Sequence, residues 1–508
     1  MPVRMTEDDN RSNRDNRGGG SSGGSWGWIA LLGFLFFAFR KYPKLTIAVL
    51  IILAIGYFFW GGSIGNSPTS GGVSKGCAMK LEVFDRAEVF EPLASEKNSL
   101  PARVTLEKYC PERLSQGQQG SCVGWASAYA ARTILEAVAT GADPNEICFS
   151  PSFLYNQIGL EGCQGAYIVD AMNAMMEIGS LPKRLFPYDP NSCSRQPTDA
   201  EKTEASRYLI CGYNRLTLDH NKYEIDLLAI KQNIAQGAPV VIGMDVGGTF
   251  ESEQIYGANM WRPTQDDYNN KDRFGGHAMC VIGYDDTHEG GAFQIMNSWG
   301  KEFGNNGLFW MKYEDFRHFI REAYGLYPLA KKNSENKNKL NVTFGLVDNA
   351  TKNYIRVEKK AGNVFETPVL QKGTRFKIEI NNSEECYTYI FGQETDGSCY
   401  VLFPYTPKHS PYCGITGTRL FPKNESLELD QLGSKDIMAI VVSKKQLHYE
   451  EIKNAANRSG YKNFKSMLEY ALGDILTDAT MKGGDVVSIN SDNAEGKAAL
   501  MVFEINKK

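Results

Sequence analysis

The stretch that most constrains this chain is Gln116-Gly-Gln-Gln-Gly-Ser-Cys122-Val-Gly-Trp-Ala126. A cysteine in a Gly/Ser turn, followed by the small and apolar run Gly124, Trp125, Ala126, Ala128 and Ala130, predicts a thiol at the start of a buried helix. Unpaired backbone N–H groups and the positive end of the helix dipole favour a thiolate there, and a neighbouring imidazolium favours it further. The expectation is a Cys122 with a lowered pKa. An imidazole is offered by Gly275-Gly-His277-Ala-Met-Cys280, and a group to orient it by Ile295-Met-Asn297-Ser-Trp-Gly300. Both lie in short apolar runs of strand type, where side chains alternate faces and a polar residue can leave the sheet towards the thiol.

Residues 100–328 resemble a papain-like cysteine peptidase, on several motifs in that family's order. Gln116 lies six positions before Cys122, where the family keeps its oxyanion-hole glutamine. Gly162-Cys-Gln-Gly-Ala166 resembles the family's Gly-Cys-x-Gly-Gly substrate-binding segment, and Phe186-Pro-Tyr188 its Tyr-Pro-Tyr. Asn297-Ser-Trp-Gly300, followed by Trp310, resembles its Asn-Ser-Trp-Gly and the strand after it. The resemblance implies a two-lobed α+β fold with a cleft between the lobes, no cofactor and no metal. It also implies a Cys122–His277–Asn297 triad assisted by Gln116, with Gly165 and Ala166 along the substrate and Trp299 shielding the His277–Asn297 bond. The family often bonds the cysteine of the Gly-Cys-x-Gly segment to one three places before the nucleophile. That place is Gln119 here, so Cys163 pairs elsewhere, with Cys193 as a candidate, or stays free. Two departures stand out: Val123 follows the cysteine where the family has Trp, and Ala166 replaces a glycine.

Taken singly, Cys122 reads as a buried cysteine and His277 as a core histidine; it is the ordered set that reverses this. Gly120-Ser-Cys122-Val-Gly124 also fits a nucleophile elbow, but that turn needs a buried strand before it, and Glu112-Arg-Leu-Ser-Gln-Gly-Gln-Gln119 supplies none. A metal site at His277 and Cys280 fails because residues three apart on a strand face opposite sides. Other classes on the same fold are a catalytically silent scaffold and an amidase or transpeptidase.

A chain of 508 residues exceeds one ordinary core, so at least two domains are expected. The net charge of −4, with no basic stripe, gives no electrostatic case for nucleic acid. Eleven cysteines suit an oxidising compartment, with reduced, buried thiols as the alternative, and the odd count leaves at least one thiol free. Residues 1–25 are polar and expected to be disordered. Two apolar runs, Trp26 to Phe39 and Leu45 to Gly62, flank Arg40-Lys-Tyr-Pro-Lys44. They predict a membrane anchor over 26–62, as one span or as a helical hairpin. The basic cluster would lie in the cytoplasm and the rest of the chain outside it, in a bacterial periplasm or at a cell surface. Residues 63–100 read as a linker too short for the helical inhibitory domain of the family.

Within 101–330, Ser150-Pro151 reads as a helix start, Ile168 to Ile178 as a core helix, and 239–244, 278–284, 292–296 and 308–313 as strands. A charged linker over 331–340 leads to a β-rich domain over 341–508. There Thr374 to Ile380, Tyr387 to Phe391, Tyr400 to Phe403 and Ile437 to Val442 read as strands, with a turn at Asp396-Gly397. Helices over 449–476 and a closing strand over 498–505 complete it. Leu370 to Phe376, Cys386 to Phe391 and Val401 to Pro404 resemble a bacterial domain of unknown function appended to caspase-like peptidases and kinases. The expected activity is endopeptidase cleavage of a peptide or protein substrate, with an envelope or protein partner for the C-terminal domain.

Overall fold

The Gly/Ser turn at 117–121 runs into the helix that the sequence predicts. It is continuous through Cys122–Gly124, a π-helical stretch Trp125–Arg132 and Thr133–Thr140. Its small residues have a steric purpose. A Cβ at Gly124 would lie 2.7 Å from the Pro151 carbonyl oxygen, so the neighbouring helix Pro151–Ile158 packs almost backbone to backbone. The Ser150 hydroxyl caps that second helix by accepting from the Phe153 N–H, with Pro151 in the first turn. Helix Ile168–Glu177 completes the helical lobe.

This computed structural model describes residues 3–7, 74–89, 93–94, 97–217, 224–329, 338–423 and 425–508. The expected membrane anchor over 26–62 lies outside them, as do residues 8–25 of the polar tail and residues 331–337 of the linker. Among the described residues no helix is long and apolar enough to cross a membrane.

The second lobe of the α+β domain is an antiparallel sheet ordered Tyr213–Arg215, Ile320–Leu326, Val240–Val246, Gly275–Asp285, Ala292–Met296, Leu308–Lys312. Arg103–Thr105 adds to the Gly275–Asp285 strand. Its two central strands carry His277 and lead into Asn297. The second is buried throughout and the first from His277 onward, which is why they read as continuous apolar runs.

The C-terminal domain is a β-sandwich. One sheet holds 425–429, 375–382, 340–348, 486–491 and 480–482; the other holds 364–366, 498–506, 435–443, 386–393 and 399–403. Strand alternation decides what each face meets. Ile390, Met438, Ile440 and Val442 point into the sandwich, while Tyr389, Phe391, Ala439 and Val441 pack under helices Tyr449–Arg458 and Phe464–Leu472.

Two expectations are corrected. Residues 1–25 are not structureless throughout, because Val3–Glu7 is a strand paired antiparallel with Glu425–Leu429, and Val3 is buried against Tyr400. The interval 63–100 is not a plain linker over its described part, because Cys77, Phe84, Ala87 and Leu93 enter the core of the α+β domain. Neither short segment has an apolar period; each is held by backbone pairing and a few anchors, which composition does not reveal.

Candidate active site

The turn before Cys122 is fixed by hydrogen bonds that its sequence does not announce. The Ser121 and Tyr188 hydroxyls lie 2.7 Å apart, and Tyr188 donates to the Gln116 carbonyl at 2.7 Å. Gln116 is fully buried and its side chain is clamped at both ends. Its Oε1 accepts from the Ser298 hydroxyl at 2.7 Å, and its Nε2 donates to the Gln119 carbonyl at 2.9 Å. On the facing sheet, His277 Nε2 and Asn297 Oδ1 are 2.7 Å apart, and Asn297 Oδ1 also accepts from the Ser298 N–H. The Trp299 ring lies over the imidazole, 4.5 Å between centroids and tilted by 32°. His277 Nδ1 is buried with no hydrogen-bond partner.

A chain segment lies between the two lobes. Residues 74–78 run through the cleft in extended form, bonded to both walls. The Gly76 N–H donates to the Gly276 carbonyl at 3.2 Å, and its carbonyl accepts from the Ala166 N–H at 2.8 Å. Cys77–Ala78 continues as a short parallel strand on Ala166–Tyr167. Gln116 Nε2 donates to the Ser74 carbonyl at 3.1 Å. Arg321 donates to the Cys77 carbonyl at 3.0 Å while pairing with Asp245, and Lys75 pairs with Glu251 at 2.6 Å. The Cys77 thiol points at the buried carboxyl of Glu322, 3.6 Å away, which also accepts from the Tyr324 hydroxyl. Only glycine fits at the crossing: a Cβ at Gly76 would sit 2.0 Å from the Gly120 carbonyl oxygen, and one at Gly276 2.0 Å from that of Cys77.

Covering the site reverses the expected electrostatics. Burial pushes the Cys122 thiol up to about 11, although the backbone amides of Ala278, Gly76, Val123 and Cys122 pull the other way. Burial also pushes His277 down to about 4; the bond to Asn297 opposes this and the nearby Lys75 cation adds to it. The expected lowered thiol pKa is therefore not found in this covered state. A charged pair with no water to solvate it is disfavoured on both sides, so the site rests as neutral thiol and neutral imidazole.

Gln116, His277, Asn297 and Trp299 meet around one point, joined through Ser298, and the Cys122 sulfur is reached by the amide of Ala278, the residue that follows His277. Gly165 and Ala166 line the opposite wall, where the Ala166 methyl is fully buried and leaves its N–H free to pair with the segment. Val123 is buried as well. Cys163 is bonded to Cys193, which resolves the choice left open by the sequence. The residues that sequence reasoning missed are Ser74 to Cys77, Ser121, Ser298 and Glu322. A glycine next to a cysteine in an otherwise linker-like stretch was the one signal at Gly76.

Residues 102–328 match the family described as "Papain family cysteine protease". The chain carries a papain-family cysteine protease domain. Residues 369–446 match a domain of unknown function, DUF4384. Among curated relatives, an uncharacterized peptidase C1-like protein of Acanthamoeba polyphaga mimivirus is 29% identical over 42% of this chain and 67% of its own length. A cathepsin B-like protein, CP3, of Giardia intestinalis is 26% identical over 39% of this chain and 63% of its own. Mouse cathepsin K is 27% identical over 38% and 53% respectively. The crystal structure of xylellain, a cysteine protease from Xylella fastidiosa, aligns at 24% identity with a TM-score of 0.41, over 53% of this chain and all of the other.

Proposed function

We propose that the protein is a membrane-anchored cysteine endopeptidase, facing out of the cytoplasm, that is held closed by its own residues 74–78. The observation that carries this reading is the setting of His277: Asn297 occupies Nε2, and the buried Nδ1 has no partner on the protein. That leaves Nδ1 for exchange with the sulfur.

In the open enzyme, the Cys122 proton passes to His277 and the thiolate attacks the carbonyl carbon of an extended peptide lying along Gly165 and Ala166. The developing oxyanion is bound by Gln116 Nε2 and the Cys122 N–H. His277 returns the proton to the departing amine, leaving a thioester. It then takes a proton from water, which attacks the thioester and frees the acid and Cys122. Asn297 keeps the ring in place and Trp299 keeps water from their bond.

Segment 74–78 opposes each of these steps. It brings the Gly76 amide to the sulfur in place of an attackable carbonyl carbon, sets the Ser74 carbonyl on the oxyanion donor, and adds the charge of Lys75 beside His277. The C-terminal domain is proposed to take an envelope or protein partner.

The test is alkylation of Cys122 by iodoacetamide across pH in the full-length protein and in Gly76→Val, each with and without His277→Ala, with Cys122→Ala as the blank. Slow labelling of the parent below about pH 10, fast labelling of Gly76→Val near pH 7 and loss of that gain with His277→Ala are expected. Labelling in Gly76→Val that is indifferent to His277 would leave a silent scaffold. A parent that labels as fast as Gly76→Val would remove the closure by 74–78.

A further inference from the structure

We infer that Cys386 and Cys413 form a second disulfide, which fixes the root of the tongue by which the C-terminal domain grips the protease domain. The two residues stand directly opposite each other on antiparallel strands, Cys386–Gln393 and Tyr412–Cys413. Opposed residues in such a pair have Cα atoms about 4.5–5.5 Å apart, inside the roughly 4.4–6.8 Å that a disulfide spans. They point to the same face, both are buried inside the sandwich, and the two thiols already share a hydrogen bond. Closure needs rotation about the side-chain bonds and no shift of either strand.

The surroundings favour the exchange chemistry. The hydrogen bond between the two thiols holds Cys413 below its ordinary range against the effect of burial, with help from the Arg419 cation and the Thr388 hydroxyl, 3.8 Å from Sγ. Together with burial it pushes Cys386 well above its own, so Cys413 is the first nucleophile and Cys386 gives up its proton only as it attacks the mixed disulfide. As the domain folds, the Cys413 thiolate attacks one sulfur of a small-molecule or protein disulfide and expels the other as a thiolate. Cys386, losing its proton, then attacks the Cys413 sulfur of the mixed disulfide and expels the second. Two electrons pass to the donor, two protons leave the pair, and one S–S bond replaces another. The remaining thiols have other neighbours. Cys77 faces Glu322, Cys110 bonds the Leu106 carbonyl, and Cys399 lies on the next strand.

The residues just beyond Cys413 give the bond its consequence. Ile415 is buried in the core of the protease domain. Gln236 of that domain donates to the Thr416 carbonyl at 2.6 Å and accepts from the Thr416 N–H at 3.0 Å. Tyr412 packs edge-on against Tyr327, with centroids 4.4 Å apart. The tongue leaves the sandwich through the short strand Tyr412–Cys413, whose pairing is two residues long. A covalent tie at that root holds the tongue's entry point against fraying.

Full-length protein equilibrated with oxidised glutathione would be denatured in N-ethylmaleimide, digested without reduction and mapped by mass spectrometry. Linked peptides for Cys163–Cys193 and for Cys386–Cys413 are expected, with the other seven cysteines alkylated. Alkylated Cys386 and Cys413 beside an intact Cys163–Cys193 bond, or either residue linked elsewhere, would overturn the inference. Amide exchange over 411–418 should be at least threefold slower in the oxidised protein than after dithiothreitol, and Cys386→Ser should abolish that difference. Equal exchange in the two states would remove the grip from the proposal even with the bond in place.

Discussion

At pH 7 the imidazole of His277 is neutral in the covered site, because burial holds its pKa near about 4. Its unfolded value is about 6.5. The unfolded chain therefore binds a proton between these two values while the folded one does not, and stability falls as pH drops through that window. The whole effect of this one group is about 3 kcal/mol, complete near pH 4 and absent above about pH 7. Urea unfolding at pH 7 and pH 4.5 should show this loss in the parent and much less of it in His277→Gln; equal losses would mean that other groups carry the acid sensitivity. Gln116 offers a second test at this scale. Its Nε2 donates to the Ser74 carbonyl and is the side-chain donor proposed for the oxyanion, so Gln116→Ala in an opened enzyme should lower kcat by about 10²–10³-fold with little change in KM. A change confined to KM would place Gln116 in ground-state binding.

At the scale of elements, segment 74–78 is held by backbone bonds on both edges, by the Lys75–Glu251 pair and by the Arg321 cation. Arg321 donates to the Cys77 carbonyl and is itself set by Asp245. A hydrogen bond from a charged donor contributes about 1.5–3 kcal/mol. Arg321→Ala should accordingly raise the open population, and with it the rate of Cys122 alkylation, by roughly tenfold or more. An unchanged rate would show that the Gly76 pairing, the Lys75–Glu251 pair and the Gln116–Ser74 bond hold the segment without Arg321. The contrast with the rest of the site explains what was legible in the sequence. The Cys122 helix, the strands bearing His277 and Asn297, and the inner strands of the sandwich at 375–382, 386–393, 435–443 and 498–506 each bury a face, and burial writes a period of small or apolar residues. Segment 74–78 is recognised through its main chain, and main-chain pairing leaves no such period. The sign of the Cys122 shift was illegible for the same reason. The helix start and the imidazole can be read from neighbouring residues, but the cover that desolvates them comes from a stretch that looks like a linker.

For the whole molecule, the strand Val3–Glu7 limits the proposed anchor. It completes the edge of the C-terminal sheet and belongs to the same compact unit as residues 73–508, a unit that does not include residues 9–72. A chain that starts in one unit and returns to it ends on the side of the membrane where it began. We propose on this ground that an anchor within 26–62 would cross an even number of times, which favours the hairpin over the single span, with Arg40, Lys41 and Lys44 on the cytoplasmic side. A single span would put Val3 and its partner Leu429 on opposite sides and forbid the pairing. Epitope tags placed before Met1 and after Lys508 should both be digested when protease is added outside intact spheroplasts, and both be protected in inverted vesicles. An N-terminal tag protected in spheroplasts while the C-terminal tag is cut would establish one crossing. It would also require the Leu429 edge of the sandwich to be free of Val3–Glu7, exposing an unpaired strand edge to other chains.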